Sequence, residues 1–176
     1  LADRAANDVR VIRPMTEWLR SHEERATDAI EAPPADVAAW LATHDGTIDA
    51  IAAVLVNGET PRWPLDARAT ARRQPIPNLL GHMHLLRILN AATLERERRG
   101  DHEGAWNLQH AAWKLSLGLF DRPEIISTLI GIAGVRASAA TQRKLEAPVP
   151  RWQNEIVQRS LTEEMLDTVG IELAQI

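Results

Sequence analysis

The side chains able to do chemistry in this 176-residue chain are scattered, and their spacing argues against most reactions. His82 and His84 stand two apart in a helix-compatible stretch, about 200° around the axis, so they cannot share a metal unaided. If helices 78–99 and 102–118 pair antiparallel about Gly100, His110 falls beside Ala91. At 1.5 Å per residue, His84 is then roughly 10 Å along the axis from His110 and roughly 20 Å or more from His102. The four histidines are therefore expected to be partly exposed or hydrogen-bonded, not a metal centre. Glu95, Glu97, Glu103 and Glu124 read as occupants of helix ends and charged faces, with Glu95 and Arg99 a favourable i,i+4 pair. A catalytic acid/base pair needs a pocket that shifts its pKa values, and the sequence identifies none. Ser116, Ser127, Ser138 and Ser160 lack the glycines of a nucleophile elbow, and there is no glycine-rich phosphate loop. The absence of cysteine excludes disulfides, zinc ribbons and thiol catalysis. No catalytic residue, metal ligand or cofactor is assigned, and the reading leans away from an enzyme.

Recognition is the chemistry that remains. Residues 59–77 carry four prolines, four arginines and one tryptophan, too long a stretch for an ordinary connector. Arg62, Arg68, Arg72 and Arg73 with Trp63 form a local basic patch suited to bidentate contact with carboxylate or phosphate. These five residues are the candidate partner-binding set; the plain alternative is a solvated loop with Trp63 stapled to the core. Trp106 and Trp113, seven apart, share a helical face that reads as core before ligand box. Gly131 and Gly134 read as points of close helix packing.

The elements that must position these groups are helical. Apolar residues make up 45% of the chain and charged residues 25%, a globular balance with Val and Ile too sparse for a sheet protein. Punctuation predicts helices near 14–31, 36–44, 47–57, 78–99, 102–118, 123–146 and 161–174, in one domain. Within an N-terminal helical segment over 1–32, residues 2–13 are helix-compatible and Pro14 starts or kinks the helix that follows, Pro33-Pro34 breaks it, and Asp45-Gly46 reads as a turn. Asp121 with Pro123 and Glu124, and Ser160 with Glu163, read as helix-opening caps. Within this all-α class, the architecture expected is a right-handed array of antiparallel helical hairpins.

That expectation rests on GDHEGAWNLQHAAWKL, Gly100 to Leu115. A helix-ending Gly, an Asp cap and small Ala105 and Ala112 on one face let two helices approach closely. Residues 86–119 resemble one tetratricopeptide unit: Leu89 and Ala92 in the first helix, Gly100-Asp101 at the turn, Ala105 and Ala112 in the second. Arg96 stands where an aromatic is expected and Leu117 where the closing proline is. The longer pattern, PIPNLLGHMHLLRILNAATLERERRGD with DRPEIISTLIGIA and PVPRWQ, is similar to an uncharacterised bacterial family of Ala- and Leu-rich helical proteins. Many of those carry an N-terminal membrane anchor, which places the expected setting at the cell envelope ahead of the cytoplasm. The chain begins at Leu1, which leaves room for such an anchor upstream, and its own longest apolar run is half a span. A net charge of −4 gives no push toward nucleic acid. The expected function is a helical interaction module for a protein or peptide partner. The alternative is a small-molecule or enzymatic pocket between loop 59–77 and the helices.

Overall fold

The computed structural model describes residues 9–25, 29–59, 78–120, 125–146 and 148–153. Among them are five α-helices and no strand: α1 (Val9–Glu24), α2 (Ala35–Asn57), α3 (Leu79–Arg98), α4 (His102–Leu117) and α5 (Ile125–Gln142). The all-α class holds. The helix expected over 161–174, the caps at Asp121 and Ser160, and loop residues 60–77 lie outside the described residues.

Two sequence-based readings fail because side-chain phase overrides local breakers. The first helix runs Val9–Glu24 instead of 14–31, with Pro14 inside it. Val11, Met15, Trp18, Leu19 and His22 are buried on one stripe that continues through the proline. Burying side chains such as Met15 is worth about 1.5–3 kcal/mol each, enough together to offset a proline penalty of about 3 kcal/mol. The chain then leaves the helix and folds back. Glu31 N–H donates to His22 Nε2 at 3.1 Å, and Trp18 Nε1–H donates to the Glu31 carbonyl at 3.2 Å. In the second case, the predicted helices 36–44 and 47–57 are one continuous α2, and Asp45-Gly46 is not a turn. Val37, Leu41, Ile48, Ala52 and Leu55 keep one buried stripe across Gly46. Asp45 and Asp49, one turn apart, both reach Arg96 Nη2 on α3, at 2.9 and 2.7 Å.

The α3–α4 hairpin matches its sequence reading. Asn78 caps α3 by accepting the Gly81 N–H at 2.8 Å. Gly100 has φ of 81°, the left-handed conformation that glycine adopts without a Cβ penalty. Around it, Asp101 N–H donates to Arg96 O and Gly100 N–H to Glu97 O, closing α3 with a Schellman motif. Asp101 then caps α4 by accepting the Gly104 N–H at 3.0 Å. Ala105 and Ala112 are fully buried. Lys114, on α4, closes a different helix: its Nζ donates to Val56 O and Gly58 O at the end of α2.

Helix α3 packs against all four others. The outer contacts run α1 to α2, α2 to α4, α4 to α5 and α5 back to α1, so the four ring α3. This explains why α3 is buried almost all round, polar residues included: His82, His84, Asn90, Thr93, Glu95 and Glu97 are all buried. Gly134 marks the tightest approach of α5, where a Cβ would come within 2.8 Å of both Leu86 Cδ2 and Ser116 Oγ. A Cβ on Gly131 would likewise lie 3.2 Å from the Phe120 ring. Helix α5 ends at Gln142, not 146, because the next turn tightens: Lys144 and Leu145 N–H groups donate to Thr141 O and Gln142 O.

Candidate functional site

A concavity lies between α1 and α5. Its volume is about 880 Å³, and it is lined by Arg20, Glu23 and Glu24 of α1 and by Arg136, Gln142 and Arg143 of α5 and the turn after it, with Trp113 of α4 also in the lining. A smaller extension of about 190 Å³ shares Arg20 and Glu23 and adds Arg87 and Asn90 of α3. Two local rules place these groups. Arg136 and Arg143 are seven residues apart and so share a face of the helical segment. On α1, Arg20 and Glu23 flank the buried stripe without belonging to it. Arg20 is held by Glu24, one turn on, at 2.8 Å. The Glu23 carboxyl is raised above the ordinary glutamate range, first by desolvation against the groove wall, with Glu24 adding. Arg136, Arg87 and Arg143 pull the other way. Three guanidinium groups and two carboxylates, Glu23 and Glu24, thus line the groove, with Arg87 on the smaller concavity that shares Arg20 and Glu23, in a chain of net charge −4. Arginine is the side chain whose planar fork fits carboxylate and phosphate.

A second polar site sits at the α3–α4 turn. Glu97, read from sequence as part of a charged face, is buried, and so is Glu95. Glu95 is explained by its partners: Arg98 and Arg99 donate to it at 2.7 Å each, and their hydrogen bonds hold its carboxyl below the ordinary value against desolvation, the largest influence. Glu97 Oε1 accepts from His102 Nδ1 at 2.9 Å and from the Glu146 N–H at 2.8 Å. The Glu146 carboxylate lies 3.8 Å from His102 Nε2. One donor atom from each of Glu97, His102 and Glu146 falls within 4.8 Å of the others, but the two carboxylates lie at opposite nitrogens of the His102 ring, so the three cannot ligate one ion.

The other histidines do separate jobs, as the axial spacing implies. His82 Nε2 pairs with the Leu115 carbonyl at 2.9 Å, and His110 stacks on Trp152 at 4.4 Å between ring centres. His82 is buried and hydrogen-bonded, within the expectation, whereas His84 is buried with no partner on Nδ1; burial lowers both pKa values, and for His84 Arg87 adds to the effect. Trp106 and Trp113 are core and anchor at once. Trp106 Nε1–H donates to Glu146 O, and Trp113 Nε1–H to Gln142 Oε1, so both grip the end of α5. Ser116, Ser127 and Ser138 are buried, with Ser116 Oγ donating to Ala112 O, so none is placed as a nucleophile. Glu103 is exposed at the start of α4, while Glu124 and Ser160 lie outside the described residues.

The candidate set Arg62, Trp63, Arg68, Arg72 and Arg73 lies outside the described residues as well. Sequence reasoning missed both the groove and the turn site. The groove arginines come from positions 20, 87, 136 and 143, with no local cluster to betray them. Glu97 sits in the run LERERRGD, which carries the pattern of a solvated face. Among the described residues no helix is long and apolar enough to cross a membrane. Compared with known proteins, the chain matches no family model, no curated protein and no solved structure.

Proposed function

We propose that the protein is a non-catalytic helical interaction module whose α1–α5 groove receives an acidic segment of a partner protein. The observation that carries this reading is the gathering of Arg20, Arg136 and Arg143 on one groove, with Arg87 on the smaller concavity that shares Arg20. Arg is the side chain best fitted to bidentate carboxylate contact, and a fixed groove spares the partner part of the ordering cost of binding. The α3–α4 hairpin is the tetratricopeptide-like unit of this reading. The ring of helices about α3 confines recognition to outer grooves of the array. Arg62, Trp63, Arg68, Arg72 and Arg73 extend the contact as a second basic surface, and the bacterial family resemblance puts the partner in a cell-envelope assembly.

The test is fluorescence polarisation with a labelled Asp/Glu-rich peptide of about a dozen residues and its Asn/Gln counterpart. The acidic peptide should bind, weaken steeply with salt, and lose at least about tenfold in affinity to the Arg136→Ser/Arg143→Ser double variant (a loss of about 1.4 kcal/mol). The variant should keep its helical circular dichroism. Replacing Arg62, Arg68, Arg72 and Arg73 by Ser reports on the second surface separately. Equal binding of the acidic and neutral peptides would refute the reading.

The cleft volume of about 880 Å³ also suits a small molecule, which keeps an anionic metabolite pocket as the alternative. That reading requires a small dicarboxylate or phosphate ester to compete the peptide off and to raise the melting temperature by itself.

A further inference from the structure

We propose that Glu23 is the built-in counter-charge of the α1–α5 groove: ionised, it offsets the groove arginines and repels an acidic partner, and neutral, it leaves the groove open to one. On the acidic-segment reading of the groove, on which this rests, Glu23 is the residue that makes binding tighten at mildly acidic pH. The pairing of the charges carries the assignment. Arg20 is committed to Glu24, one turn on, at 2.8 Å. Arg136 and Arg143 line the same groove and Arg87 the smaller concavity. Among the described residues none of these three side chains makes a hydrogen bond or an ion pair. Glu23 makes none there either, yet it is the acid that lines both concavities. It acts on the arginines through its field and holds none of them in a bond, so a bidentate ligand carboxylate has no contact of Glu23 to break.

The charged groups around Glu23 come from three helices. Arg20 and Glu24 stand on α1, Arg87 on α3, Arg136 on α5 and Arg143 in the turn after it. Helix α2, also packed against α1, contributes no group to either concavity. His22, the adjacent residue, is buried away from the groove and bonds Trp18 O and the Glu31 N–H. Desolvation raises the Glu23 carboxyl above the ordinary glutamate value, Glu24 adds to this, and the three arginines oppose it without overcoming it. As pH falls from neutrality toward that ordinary value, about 4.3, Glu23 therefore takes up its proton ahead of the carboxylates of an exposed peptide. Guanidinium groups keep their charge throughout. The groove then gains one unit of positive charge while its ligand is still ionised. Glu23, Arg136 and Arg143 are exposed, so the effect is about two- to fivefold in affinity.

The experiment is fluorescence polarisation of the labelled Asp/Glu-rich peptide in low salt, with the full chain as wild type, Glu23→Gln and Glu17→Gln. Glu17→Gln makes the same change in net charge on the same helix, from an exposed residue paired with Arg13 outside both concavities. Near neutral pH, Glu23→Gln should bind about two- to fivefold tighter than wild type, and Glu17→Gln should match wild type. The gap between Glu23→Gln and wild type should close as pH falls from about 7.5 to about 5. Taking that ratio cancels titration of the peptide and of His84, whose field reaches Arg87. Glu23 is exposed, so its variant should keep the wild-type circular dichroism. An acidic peptide that binds wild type while Glu23→Gln matches Glu17→Gln would overturn the inference and leave the groove reading standing. So would a gap that stays constant across the pH range. If neither wild type nor Glu23→Gln prefers the acidic peptide to its Asn/Gln counterpart, the groove reading itself falls, and this inference with it.

Discussion

Replacing Gly46 by Ala separates the observed architecture from the one its sequence invites. In an Asp-Gly turn with positive φ, alanine would cost about 1–2 kcal/mol of left-handed strain. In the structure Gly46 lies inside α2, exposed, with ordinary helical φ, and a Cβ built there meets nothing within 4 Å. The substitution therefore gains helix propensity with no packing penalty, about 0.8–1 kcal/mol. In a chain of this length that is roughly 2–4 °C in melting temperature. With a urea slope of about 1–3 kcal/mol per molar, the midpoint should rise by roughly 0.3–1 M. Gly134→Ala is the matched contrast, with the same propensity gain. Its Cβ comes within 2.8 Å of Leu86 Cδ2, on a buried side chain, and of Ser116 Oγ, already bonded to Ala112 O. Overpacking of this kind costs about 1–3 kcal/mol, so the net effect runs from near zero to about 2 kcal/mol of destabilisation. Urea melts followed by circular dichroism at 222 nm read both. A Gly46→Ala protein less stable than wild type would refute the continuous α2.

Ala105 is fully buried at the start of α4, so Ala105→Leu should overpack that contact and lower stability by about 1–3 kcal/mol; an unchanged melt would discard the close-approach account of the hairpin. Stability should also fall as pH drops from about 7.5 to 5.5. Burial lowers the folded-state pKa values of His82 and His84, so the unfolded chain takes up protons first as pH falls through the ordinary histidine value near 6.5. The loss begins there and levels off below the folded-state values. Urea midpoints across that range check it, and His82→Gln/His84→Gln should flatten the slope; a midpoint that rises on acidification contradicts the assignment.

What could be read from the sequence was whatever neighbouring residues decide. Asn78, Gly100 and Asp101 fix the ends of α3 and α4 through their own side chains or φ, and the predicted spans differ from those observed by one residue at each end for 78–99 and at the C-terminal end for 102–118. What could not be read was decided by residues far along the chain. Pro14 and Gly46 are strong local breakers, overruled by buried stripes whose partners lie on other helices. Phase was the available signal: positions 37, 41, 48, 52 and 55 keep one face only if no turn intervenes at Gly46. Glu97 looks like its neighbours Glu95 and Arg99 until residue 146 arrives and covers it. The groove arginines share a surface only after α1, α3 and α5 have packed.

The same long-range ties bear on how the groove works. Helix α5 carries Arg136 and is followed at once by Arg143, and its C-terminal end is fastened on three sides. Trp113 holds Gln142, Lys144 donates to Arg25 O just past α1, and Trp106 and Glu97 hold the backbone of Glu146. Lys144 and Trp113 are buried, so these bonds are sheltered from competing water. Deeper in, Gln109 Nε2 donates to Ser138 O at 2.7 Å, pinning α5 to α4 two residues beyond Arg136. The groove's cationic wall is thus set by contacts made behind it and not by the guanidinium groups themselves. Arg136 and Arg143 are carried on a fixed frame while their own charges act on Glu23 across the opening. A ligand carboxylate arriving there competes with Glu24, which holds Arg20, and with Glu23, whose charged form is already disfavoured by desolvation. The groove therefore offers its positive charge at little cost in rearrangement, which is the physical condition for recognising an acidic segment by contact alone.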